Sequence, residues 1–197
     1  MESVPDLRIV PVSEAPWGDV VRVFGTRGDP ARCWCQYYKV SNKEWNTAGR
    51  EKLEQLLREQ ASEGLRGPGL IAYAGGEPAG WCAIEPRPRI PRILTSKVAK
   101  FGRQEPDDDE SVWAITCVVV RVGHRRRGIS AALVLAAVEE ARKGGARVVE
   151  GYPVDTSGKS TSSSAKLYHG TVSVFEAAGF RIAAKPTTRR AVVRLEL

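Results

Sequence analysis

Apolar residues in this chain come in short blocks, and the spacing within a block changes from alternation to helical periodicity several times. Leu7-Arg8-Ile9-Val10 reads as a first strand. Ser13 to Phe24 reads as a helix, with Pro16 tolerated in its first turn and Gly25 at its end. Gly28-Asp29-Pro30 has loop chemistry. From Lys43 to Ser62 the spacing of Leu53, Leu56 and Leu57 predicts one long helix, which Gly64 and Gly67-Pro68 terminate. Leu70 to Ala74, a Gly75-Gly76 turn, and Ala79 to Ile84 together predict a β-hairpin.

Pro86 to Arg103 is proline-rich and one-signed, with Arg87, Arg89, Arg92, Lys97, Lys100 and Arg103 and no acid. An acidic run from Glu105 to Glu110 follows it. The pair reads as an excursion between strands with solvated charges, placed near the entrance of a site. Val112 to Val120 is rich in β-branched residues and reads as a buried central strand. A basic turn, Arg121 to Arg127, leads into a helix from Gly128 to Lys143, stopped by Gly144-Gly145. Val148 to Tyr152 is a further strand, Asp155 to Ser164 a Ser/Gly-rich loop, Leu167 to Ala178 a helix interrupted by Gly170, and Arg190 to Leu197 a last strand. Without a repeat or a linker, residues 1–197 are expected to form a single α+β domain.

Composition narrows the function classes. Hydrophobic residues make up 42% and charged residues 27% of the chain, as in soluble globular domains. Neither an apolar run of about 20 residues nor a signal-peptide pattern is seen, so a cytoplasmic location is expected and a membrane partner is not. Cys82 and Cys117 sit in strand-like apolar runs, and Cys33-Trp34-Cys35 has the wrong spacing for a zinc half-site. The four cysteines therefore read as packing residues and no metal is expected. The net charge of +7 attracts anions in general. No nucleic-acid recognition motif accompanies it, so an anionic cofactor fits better than nucleic acid.

The segment Val118-Val119-Val120-Arg121-Val122-Gly123-His124-Arg125-Arg126-Arg127-Gly128-Ile129-Ser130-Ala131 combines a buried strand, a basic turn and a helix start. The first amides of a helix lack internal partners, and the helix dipole adds positive charge there. Such an end can hold a pyrophosphate. Gly128 lets it approach the backbone, and Ser130 and Ala131 keep the helix start uncrowded. Neither a triphosphate-binding Gly-x4-Gly-Lys-Ser/Thr nor a dinucleotide Gly-x-Gly-x-x-Gly is present. A plain strand–helix junction capped by a basic loop is the alternative.

Arg125-Arg126-Arg127-Gly128-Ile129-Ser130 resembles the acetyl-CoA motif of the GNAT acetyltransferase superfamily, with Ser130 at its last small position. Ala177-Ala178-Gly179-Phe180 resembles the Gly-Phe that follows that family's last helix. Cys33-Trp34-Cys35, Gly80-Trp81-Cys82 and Tyr168-His169-Gly170-Thr171 are similar to a bacterial subgroup. The resemblance implies a mixed sheet, splayed at its centre and flanked by helices. It implies pantetheine along the backbone of Val118, Val119 and Val120, and pyrophosphate on the amides from Arg126 to Ala131, with Arg125, Arg126 and Arg127 around it. The activity implied is transfer of an acetyl group from acetyl-CoA to an amine of a small molecule or peptide, by direct attack in a ternary complex. A non-catalytic acyl-CoA sensor is the alternative, and a homodimer is left open.

Acetyl transfer needs a base for the amine, donors for the thioester oxygen and a proton for the leaving thiolate. The central strand carries no acid, so Glu110 at its entrance, or Glu150 on the next strand, is the nearest base. Relatives often carry a tyrosine where this chain has Phe175. Tyr168 is then the expected donor, with His169 the alternative donor and His124 a loop residue.

Overall fold

A computed structural model describes residues 6–25, 27–63, 67–157 and 168–197. Seven strands form one sheet: β1 (Leu7–Pro11), β2 (Gly69–Ala74), β3 (Glu77–Pro86), β4 (Val112–Val120), β5 (Val148–Gly151), β6 (Arg181–Thr187) and β7 (Arg190–Glu196). Their order is β1-β2-β3-β4-β5-β7-β6. Only the β4–β5 pairing is parallel; the others are antiparallel. The architecture is α+β with an open mixed sheet, as expected of the GNAT-like fold.

The centre of the sheet is irregular in two ways. Ala83 pairs with Cys117 but Ile84 pairs with Ile115, so Thr116 has no opposite number and forms a β-bulge. The bulge breaks the two-residue alternation of side chains. Trp113 and Ile115 before it, and Val118 and Val120 after it, face one core, while Cys117 and Val119 face the other. The second irregularity is a splay. Pairing of β4 with β5 covers only Val112 to Ile115. Beyond the bulge, residues 116–120 have no strand partner on that side among the described residues.

Helices α1 (Trp17–Phe24), α2 (Gly28–Cys33), α3 (Asn42–Thr47) and α4 (Arg50–Ser62) are followed by α5 (Pro91–Thr95), α6 (Ile129–Lys143) and α7 (Val172–Ala177). One core lies under α6, whose Ile129, Leu133, Val134, Ala137, Val138 and Ala141 are buried in a single stripe. Each fully buried aliphatic of this kind contributes about 1.5–3 kcal/mol relative to exposure. A second core gathers Phe24, Trp34, Leu53, Leu57 and Trp81 on the opposite face. A third, smaller one holds Ile90, Ile93, Ala114 and Tyr152.

Several expected elements differ, and one strand was not expected. The single helix from Lys43 to Ser62 is two, because Ala48 ends α3 in extended backbone and Gly49 caps α4. Ser41 closes α3 with a reciprocal capping box to Glu44. The segment read as a Gly28-Asp29-Pro30 loop begins α2 instead, with Pro30 in the first turn. The excursion from Pro86 to Arg103 is not merely solvated, since Ile90, Ile93 and Ala99 anchor it in the third core. Strand β6 went unread: it is a mostly exposed edge strand containing Pro186, where burial leaves no alternation to detect. The Asp155 to Ser164 loop and the start of the Leu167 helix fall partly on residues 158–167, outside the described residues. Among the described residues, no helix is long and apolar enough to cross a membrane.

Candidate active site

The turn between β4 and α6 is built to present backbone amides. Arg125 Nε donates to the carbonyl of Val120 at 3.1 Å, folding the turn back on the strand end. Arg126 (φ 61°) and Gly128 (φ 79°) both take the left-handed conformation, which glycine adopts freely and arginine only under local constraint. Gly128 is the N-cap of the 15-residue α6, and no side chain caps that end. The first amides of α6 are thus left for another acceptor, and the helix dipole favours an anion there.

A cavity of about 370 Å³ opens at this turn. Val118, Val120, Arg125, Arg126, Gly128, Ile129, Ser130 and Tyr168 line it, so eight of the residues singled out in the sequence come together. Arg127 is exposed beside them, and Ala131 lies in the first turn of α6. Gly170 and Thr171 of the Tyr168-His169-Gly170-Thr171 motif also line the cavity, as does Val174, which nothing in the sequence marked. His124 lines it too. Burial and the neighbouring Arg121 and Arg127 lower its pKa, so this ring stays neutral near physiological pH.

On the other face of the splay is a larger cavity of about 740 Å³. Tyr37, Tyr38, Trp45, Leu53, Cys117, Val119 and His169 are among its walls, as is Tyr168, which lines both cavities. Val119 therefore faces this cavity and not the one at the turn, because of the bulge. Tyr37 is fixed edge-on to Trp45 at 5.1 Å and lies under the Arg92 guanidinium at 4.0 Å. The sequence does not show that residues 33 to 46 form an aromatic wall, since they converge through tertiary packing.

Residues 33–160 match the model of the acetyltransferase (GNAT) family. The chain belongs to this family. Among the curated proteins searched, none matches it. Solved structures share the fold at low identity. The yncA protein of Salmonella typhimurium, whose structure contains its cofactor acetyl-CoA, is 13% identical over 97% of this chain and 94% of its own, with a TM-score of 0.56. An N-acetyltransferase from Staphylococcus aureus is 10% identical, covering 97% and 98%, at 0.55. The ribosomal-protein-alanine N-acetyltransferase of Brucella melitensis is 13% identical, covering 97% and 99%, at 0.54.

Within this GNAT chain, neither Glu110 nor Glu150 lines either of these two cavities. Glu110 is exposed and faces Arg89 at 3.7 Å. It lies in the turn before β4, at the opposite end of that strand from Val118 and Val120, and lines a different depression with Lys39, Glu85 and Trp113. Glu150 is buried at 1% exposure, where Oε1 accepts from Arg87 at 3.0 Å and Arg194 at 2.9 Å. Its Oε2 accepts from the Tyr152 hydroxyl at 2.8 Å. Arg87 is fully buried, not at an entrance, and also donates to the carbonyls of Glu105 and Pro106. Of the cationic stretch, Arg92 alone reaches the aromatic wall, donating to the Tyr37 carbonyl at 2.7 Å.

Phe175 is fully buried against Phe180 and fills the space over two glycines. A Cβ on Gly151 would lie 2.4 Å from its ring, and one on Gly170 2.8 Å. A phenol here would put its hydroxyl into the core. Phe175→Tyr is therefore expected to destabilise the fold by about 1–3 kcal/mol with no gain in rate. Urea denaturation checks the first part and steady-state kinetics the second.

The thiols behave as packing groups. Burial, then Cys35 beside it, pushes Cys33 up to about 12. The hydrogen bond with Cys35, then burial, raises Cys117 well above an ordinary thiol. Cys35 Sγ accepts from the Trp81 indole at 3.2 Å. Protonated thiols are poor nucleophiles and metal ligands. Among the described residues, no group of three or more His, Cys, Asp or Glu could hold a metal ion.

Proposed function

We propose that this chain is an N-acetyltransferase that moves the acetyl group of acetyl-CoA to an amine by direct attack in a ternary complex. The observation that carries the reading is the meeting of two cavities at Tyr168, one at the anion-binding turn and one behind an aromatic wall. Acetyl-CoA fits the first. Its pyrophosphate would take the amides from Arg126 to Ala131, and its pantetheine would run along the open edge of β4 at Val118 and Val120. A backbone amide on that edge would stabilise the thioester oxygen as charge develops.

The amine would enter the larger cavity. Its walls are mainly aromatic and aliphatic, and Asp29, which is exposed, is their one carboxylate among the described residues. A polycationic acceptor would need several. The acceptor supported is an amine of a small molecule or peptide with an apolar or aromatic body near the reacting nitrogen.

Tyr168 is the proton donor in this scheme, because among the described residues it alone lines both cavities. A CoA thiol has a pKa near that of cysteine, about 8.5, so its thiolate leaves tolerably without help. Tyr168→Phe is accordingly expected to lower kcat by about 100-fold, the low end of general acid catalysis, with acetyl-CoA affinity unchanged. An unchanged kcat from pH 6 to 9 would remove Tyr168 from the role. Release of CoA from acetyl-CoA with a panel of apolar amines tests the activity itself. Binding without turnover on any amine would favour an acyl-CoA sensor.

A further inference from the structure

We propose that His169 is the catalytic base, taking the proton of the attacking amine through Nε2 while the Thr116 carbonyl holds Nδ1. The proposal rests on the acetyltransferase reading above. His169 Nδ1 lies 3.3 Å from the carbonyl oxygen of Thr116, the bulged residue on the open edge of β4. A carbonyl only accepts, so in the neutral ring Nδ1 must carry the hydrogen. Nε2 is then left with a free lone pair. The half-buried ring is a wall of the larger cavity and leans on Tyr38, with centroids 5.7 Å apart.

Position and environment agree with this role. Thr116 is two residues from Val118, roughly 7 Å along the strand, so the ring sits beside the place where the thioester would lie. His169 also follows Tyr168, which puts base and acid side by side on one turn. Glu110 and Glu150 are elsewhere, and Asp29 is exposed. Burial, and then the Arg190 guanidinium, bring the His169 pKa down to about 4. The ring is therefore neutral and able to accept at any pH where an amine is free to attack.

The step balances. The neutral amine nitrogen attacks the thioester carbon, forming the C–N bond and placing positive charge on nitrogen. That nitrogen becomes far more acidic than the parent ammonium, so a weakly basic imidazole suffices. Nε2 takes the proton, the C–S bond breaks, and the thiolate receives the proton of Tyr168. The imidazolium gives its proton to solvent, and the phenolate recovers one from solvent. The net change is an amide and free CoA.

Two variants test it with acetyl-CoA and an amine that the wild type acetylates. His169→Asn keeps an amide N–H near the Nδ1 position, able to donate to Thr116, but has no basic nitrogen. His169→Ala opens space for an added base. In both, kcat should fall about 100-fold or more while acetyl-CoA affinity holds. Added imidazole should restore rate to His169→Ala in proportion to its free-base concentration. Retention of rate by His169→Asn, or failure of imidazole to restore His169→Ala, would overturn the proposal and leave the acetyltransferase reading standing. A wild type that binds acetyl-CoA but acetylates no amine would overturn both.

Discussion

Glu150→Gln is expected to destabilise the fold by about 3–5 kcal/mol while leaving kcat near wild type wherever the variant remains folded. The carboxylate is 1% exposed, and Arg87, fully buried, forms an ion pair with it at 3.0 Å. Glutamine is nearly isosteric but neutral, so it leaves the Arg87 guanidinium uncompensated, with only the carbonyls of Glu105 and Pro106 to accept from it. Arg194 is less affected, because Glu105 and Glu196 also face it, at 2.6 and 3.2 Å. In a domain of this size the change corresponds to a drop of roughly 10 °C in melting temperature. Arg87→Leu should cost less, since Glu150 keeps Arg194. Denaturant unfolding and kinetics on the same samples check both halves. A stable but inactive Glu150→Gln would restore Glu150 as a base and contradict its assignment as a buried tie between β5 and β7.

The partners of this carboxylate show where sequence reading stops. Val148-Val149-Glu150-Gly151 reads correctly as a buried strand, but the partners that neutralise its acid are Arg87 and Arg194, 63 and 44 residues away in the chain. Charge pairing at that separation leaves no local pattern. Arg87 itself sat among five other cations and read as solvated. The turn between β4 and α6 was legible as a unit because strand, basic turn, glycine and helix start are contiguous, and the fold brings eight residues of that segment to one cavity. The bulge at Thr116 was not, because it appears only when β4 is set against β3. It is the bulge that sends Val119 to the larger cavity while Val118 and Val120 stay at the turn. The larger cavity was invisible for the same reason: its walls come from residues 24–53, from β4 and from residues 168–169.

The second large effect is expected at Gly128. Its φ of 79° is a conformation that other L residues adopt at a cost of about 1–2 kcal/mol. A glutamate there adds to this strain a negative charge at the end of α6 where the pyrophosphate would sit. Gly128→Ala separates the two, since it carries the strain without the charge, and should weaken binding about tenfold at most. For Gly128→Glu the loss should exceed 100-fold, because repulsion from the phosphates adds to the lost amide contacts. Calorimetric titration of wild type, Gly128→Ala and Gly128→Glu with acetyl-CoA tests most directly whether this turn is the cofactor site. The account predicts saturable binding by wild type, slight weakening in the alanine variant and near-total loss in the glutamate variant. Equal affinity in wild type and Gly128→Glu would contradict it.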